Sequence, residues 1–194
     1  HLIEFYGKTL LQTTVDLLKA NNINDIYITT HDKRYAIDGV KLYASKSNKI
    51  QADKLWACQE IWSKDTLFIW GDTFFTEWAM QTIITSPIED FKLFCRFGEN
   101  TILKSGTGEV FAFRMKDCPL LKKSVNFFRN KVVKMDKKYP DNTFTLFSLL
   151  LNLPIQKKVT SPFSDKIVII NDLTEDFDYP KDYERFLFYI NNGK

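Results

Sequence analysis

Short runs that are apolar almost end to end, separated by stretches with helical spacing, most narrowly limit what this chain can fold into. They are DIYITT at 25–30, VKLYAS at 40–45, TLFIW at 66–70, FKLFCRF at 91–97, EVFAFRM at 109–115 and KIVII at 166–170. A strand with one wet face alternates apolar and polar residues, so runs that barely alternate belong to a sheet covered on both sides. The stretches between them supply the cover. Leu11, Val15 and Leu18 recur on one helical face with Leu10, Thr14 and Leu17 beside it. Thr9 and Gln12 have the spacing of a capping box at the start of that helix, and Asn21-Asn22 ends it. Further helices are predicted over 52–62, over 77–84 with Thr76 as its cap, around Leu120, Leu121, Val125 and Phe128, over 143–153, and over 181–190 behind Pro180. No internal repeat, low-complexity tract or linker interrupts the pattern, which predicts one α/β domain over residues 1–194.

Composition narrows the partners. Lysine and arginine exceed aspartate and glutamate by only 3 charges, spread along the chain, which does not make a nucleic-acid footprint. The 17 Phe, 8 Tyr and 4 Trp fall on the apolar faces and do not alternate with basic residues, so they read as core and not as a platform for stacked bases. Cys58, Cys95 and Cys118 share no metal-like spacing and read as inert buried thiols. No apolar run reaches the length that spans a bilayer. The expectation is a cytoplasmic protein with neither a nucleic-acid nor a membrane partner.

Acidic residues gather at two strand ends, which is where open α/β sheets hold their ligands. TLFIW delivers Gly71-Asp72, and KIVII delivers Asp172, Glu175, Asp176 and Asp178 within one short loop. Crowded carboxylates resist ionisation unless a cation balances them. Magnesium suits such a place, because it takes hard oxygen ligands, keeps several waters and needs only one or two protein carboxylates. A solvated acidic loop favouring the positive end of the closing helix is the other reading that local sequence allows.

These segments resemble the nucleotidyltransferase family of GT-A-like fold, which includes sugar-1-phosphate and phosphocholine cytidylyl- and uridylyltransferases. HLIEFYGKTLLQTTVDLLKANNINDIYITT is similar to the stretch that follows the family's glycine loop and Pro-Lys. DTLFIWGDTFFTEWAM is similar to its strand ending in a metal-binding Gly-Asp, and DFDYPKDYERF to its closing Asp-x-Asp-x-Pro-x-Asp. The resemblance implies a Rossmann-like three-layer α/β/α domain with a mixed, mostly parallel sheet. It implies Mg2+ (or Mn2+) held by Asp72 and Asp178, with Asp176 as a further ligand. It also implies an NTP, CTP first, and a phosphorylated small-molecule acceptor, as in the making of surface polysaccharides. The family's glycine loop is not in the sequence, and the resemblance places it, with its strand, upstream of His1.

Other roles follow from the same likeness. Thr30, Asp32, Ser47, Asn48 and Asp53 stand where the family meets the nucleotide. Lys104, Gly106, Gly108, Glu109 and Arg114 stand around its acceptor pocket. His31 reads as a surface loop residue. Two other functions share the fold: a glycosyltransferase using Asp176-Phe177-Asp178 to hold a nucleotide-sugar, and a nucleotide-sensing relative that has lost catalysis.

Overall fold

The computed structural model describes residues 2–44, 51–97, 108–116, 118–134, 143–151 and 164–192. The chain starts with a hairpin of β1 (Glu4–Phe5) and β2 (Lys8–Thr9). Tyr6 and Gly7 turn it with positive φ angles of 51° and 80°, the backbone that the tightest hairpin turns require. Helix α1 (Leu10–Ala20) follows at once. Thr9 accepts from the amide of Gln12 as its cap, while the Gln12 side chain turns away to Asp16, so only half of the expected capping box forms. Its apolar stripe, Leu10, Leu11, Thr14, Val15 and Leu18, is buried as its spacing requires.

Strands β3 (Tyr27–Thr29) and β4 (Lys41–Tyr43) pair in parallel. After α2 (Gln51–Ala57) comes β5 (Thr66–Ile69), then the two-residue β6 (Thr73–Phe74) and α3 (Glu77–Thr85), capped by Thr76. Strands β7 (Phe91–Arg96) and β8 (Glu109–Met115) form the centre, and α4 (Cys118–Lys134) and α5 (Thr143–Leu150) cover it. Strand β9 (Ile167–Ile169), the two-residue β10 (Glu175–Asp176) and α6 (Pro180–Asn192) complete the fold.

The main sheet has the order β5-β8-β7-β9. β7 and β9 are parallel, and β8 is antiparallel to both β5 and β7, so three of the four strands run one way. One face packs Leu93, Cys95, Phe113 and Met115 against Leu121, Val125 and Phe128 of α4 and Leu146, Phe147 and Leu150 of α5. The other packs Phe94, Phe111 and Ala112 against Val15 and Leu18 of α1 and Ala79, Met80 and Ile83 of α3. Helices on both faces explain why the strands read apolar throughout, and they make the three layers that the resemblance implies. A third cluster, Phe5, Leu10, Phe177 and Phe186, fastens α6 to the N-terminal hairpin. Among the described residues β3 pairs only with β4 and β5 only with β8, leaving one edge of each strand unpaired.

Cys58 and Cys95 are buried free thiols, and burial pushes both upward, Cys95 to about 12. No described helix is long and apolar enough to cross a membrane.

Candidate active site

Two strand ends that are far apart in sequence meet through two of the shortest strands described. Beyond β5 the Trp70 amide still bonds the Phe111 carbonyl, and the chain then turns at Gly71-Asp72 into β6. β6 runs antiparallel to β10, with Thr73 opposite Asp176 and Phe74 opposite Glu175. One more bond extends this ladder, from the Phe177 amide to the Asp72 carbonyl oxygen (3.0 Å). The two acidic segments are therefore joined backbone to backbone.

Their side chains share one field. Burial pushes the Asp176 carboxyl up to about 8, and the charges of Asp72, Asp178 and Glu109 push the same way. The Thr73 hydroxyl, 3.3 Å from Asp176 Oδ1, opposes that shift. Asp178, on the exposed rim, is raised first by desolvation of its carboxyl and then by Asp72 and Asp182. The arrangement is a concentration of negative charge at the end of a strand, of the kind that a bound cation relieves. Among the described residues no three His, Cys, Asp or Glu side chains form a ready-made metal cage. A magnesium ion does not need one, since waters and phosphate oxygens complete its shell around one or two carboxylates. Asp72, Asp176 and Asp178 offer hard oxygen donors of the kind that such an ion takes one or two of.

Beneath this centre the acidic run turns inward. Glu175 is 1% exposed, and its Oε2 lies 3.0 Å from Nη1 of Arg96, a guanidinium with no exposed surface. Arg96 also donates to the carbonyls of Ile170 (3.1 Å) and Asp172 (2.6 Å). Burial pulls Arg96 below its usual value, and Glu175 and Asp172 pull it back. Asp172 accepts from the Thr174 amide (2.8 Å) and from the hydroxyl of Thr76, tying the loop to the start of α3. So the acidic run divides: Asp172 and Glu175 build the floor, and Asp176 and Asp178 face the cluster. Arg96 was readable as a charge at the end of an apolar run, FKLFCRF, which demands a buried partner.

The remaining sequence candidates are placed as follows. Glu109 opens β8 opposite Arg96 and adds to the field on Asp176, so it stands at the acidic end, with Gly108 just before it. Thr30 and Asp32 follow β3. The Thr30 hydroxyl accepts from the Asp32 amide, and Asp32 grips Arg34 through both carboxylate oxygens, which holds its carboxyl below the usual range. Asp53 lies in α2. Ser47, Asn48, Lys104 and Gly106 lie outside the described residues.

Arg114 stands at the other end of β8. Because β8 runs against its neighbours, a residue near its C-terminal end stands at the opposite edge of the sheet from Asp72. There Arg114 pairs with Asp65 (2.6 Å) and donates to the carbonyls of Ile84 and Ser86 at the C-terminal end of α3. It closes a helix end and takes no part in the acidic centre. Arg114→Met is expected to lower stability by about 1–3 kcal/mol in a denaturant titration, since it strips partners from partly buried acceptors. Activity per folded molecule should be unchanged.

Models of protein families and curated protein sequences gave no match to this chain. Among solved structures the chain is similar to 4-diphosphocytidyl-2C-methyl-D-erythritol synthase from Anaerococcus prevotii, with a TM-score of 0.67 and 12% identity over 98% of this chain and 92% of that one. It is also similar to CTP:phosphocholine cytidylyltransferase from Streptococcus pneumoniae, with a TM-score of 0.53 and 14% identity over 97% and 88% of the two chains. The chain thus has the nucleotidyltransferase fold, a single mixed α/β domain.

Proposed function

We propose that this protein is a nucleotidyltransferase that moves a nucleoside monophosphate from an NTP, CTP first, onto a phosphorylated small molecule. The observation that carries the reading is the meeting of Asp72 with Asp176 and Asp178 across the β6–β10 ladder, in a fold shared with two cytidylyltransferases. A phosphate oxygen of the acceptor bonds to the α-phosphorus, the bond from that phosphorus to the bridging oxygen breaks, and pyrophosphate leaves with the electron pair. The acceptor phosphate is already ionised at neutral pH, so no general base is required. The work left to the protein is positioning and charge neutralisation.

Asp72 and Asp178, with Asp176, would hold Mg2+ (or Mn2+). Such an ion supplies neutralisation of the phosphate oxygens as charge develops on them. Glu109 and Gly108 would stand on the acceptor side of the centre, and Thr30 and Asp32 on the nucleotide side. An acceptor used for surface polysaccharide, handled in the cytoplasm, is the setting this reading favours.

The test is pyrophosphate release from each of the four common NTPs with Mg2+ and a panel of sugar phosphates and phosphorylated alcohols. Release with CTP and one acceptor is expected. Absence of release with every pair, together with absence of NTP binding by calorimetry, overturns the proposal.

A further inference from the structure

We propose that Arg96 is a positioning residue for the acidic centre, its guanidinium fixing the connection between β9 and β10 and so setting where Asp176 and Asp178 stand relative to Asp72. The inference rests on the proposed metal-binding role of those aspartates.

The geometry is that of a clamp. Nε takes the carbonyl of Ile170 at the end of β9, Nη2 takes the carbonyl of Asp172 in the loop, and Nη1 takes the carboxylate of Glu175 in β10. One planar group thus pins three successive points of the segment that delivers Asp176. The clamp itself cannot drift: Arg96 lies in β7 opposite Glu109, and its guanidinium stands 5.4 Å from the ring centre of Phe111. Strand alternation does the rest. With Glu175 drawn inward, Asp176 must point to the opposite face, where Thr73 and the field of Asp72 meet it. The packing of Phe177 against Phe186 cannot set this alone, because apolar contacts tolerate small shifts that a fork of charge-assisted hydrogen bonds does not. Groups that hold metal-binding side chains in place without touching the ion typically change metal affinity by about 10–100-fold when lost.

The experiment uses the whole chain and two probes. The first is hydrogen exchange of the Phe177 amide, which bonds the Asp72 carbonyl, against that of the Leu93 amide, which bonds the Lys166 carbonyl within the main sheet. The second is Mn2+ affinity by electron paramagnetic resonance, which needs no turnover. In Arg96→Lys, which keeps the charge and loses the fork, Phe177 exchange is expected to accelerate about tenfold or more while Leu93 is unchanged, and Mn2+ binding to weaken by about tenfold. Glu175→Gln, which keeps the shape and loses the charge, should move both readings the same way by less, and it decides the matter if Arg96→Lys does not fold. Equal acceleration at Phe177 and Leu93 would show a merely structural arginine and overturn the inference, as would unchanged exchange at Phe177. If the unmutated chain fails to bind Mn2+ at all, the metal reading falls, and the exchange comparison alone decides whether Arg96 positions the segment.

Discussion

Asp72→Asn is expected to reduce pyrophosphate release by at least about a hundredfold, the scale on which a lost electrostatic partner of the reacting phosphates is felt. The same change should leave the fold intact. The structural bond at this position uses the Asp72 main-chain carbonyl, which asparagine keeps, and the carboxylate is a source of repulsion on both Asp176 and Asp178. Without divalent cation the variant should therefore melt at the same temperature as the unmutated chain or higher, by differential scanning fluorimetry. A variant that is strongly destabilised yet turns over normally would make Asp72 a structural residue.

The second large effect is a dependence of stability on pH that a divalent cation removes. Burial, and then the charges of Asp72, Asp178 and Glu109, push the Asp176 carboxyl up to about 8, far above an ordinary aspartate. Between roughly pH 4 and pH 8 the folded state keeps a proton that the unfolded state has released, so stability is highest at the acidic end and is lost as pH rises toward the folded value. The slope is at most about 1.4 kcal/mol per pH unit for one proton, and Asp178, also raised, acts in the same direction. Asp16 and Asp90 are held below the usual range by Lys8 and Lys166, so their contribution disappears only below this window and does not mask the trend. The expected result in EDTA is a melting temperature that falls from pH 5.5 to pH 8. Mg2+ at about a hundred times its Kd should restore about 2.7 kcal/mol at pH 8, and less at pH 5.5, where protonation competes with it. A melting temperature that rises with pH in EDTA would show that Asp176 is ionised without a cation.

Most of the architecture was legible because two-sided burial and helical spacing are both patterns that several residues repeat. The caps at Thr9 and Thr76 and the start of α6 at Pro180 were readable for the same reason: each is a residue type with a local backbone task. Strands β6 and β10 were not, since two residues carry no periodicity, and yet their pairing is what brings Asp72 to Asp176. The convergence is expected from the shared sheet edge and from the resemblance, not from these two strands. Where Arg114 stands is not legible, because strand direction is a tertiary fact. Its basic charge was visible, but not the end of the sheet at which an antiparallel β8 would leave it. The charge of Arg96 in an apolar run signals a buried partner, but which partners is not legible, because three acceptors spread from the end of β9 to β10 leave no local spacing.

Strand β10 carries a consequence for variation at this site. Its two residues are both acidic, one for each face, so charge alone does not distinguish the correct pairing with β6 from a pairing slipped by one. Side-chain reach does. The longer glutamate spans to the buried arginine, and the shorter aspartate stops beside Thr73. Exchanging the pair to Asp-Glu would conserve formal charge, composition and strand propensity while shortening the inward arm by one methylene and lengthening the outward one. Two changes that each look conservative would together undo the arrangement, so it is the Glu-Asp order at these positions, and not mere acidity, that holds it.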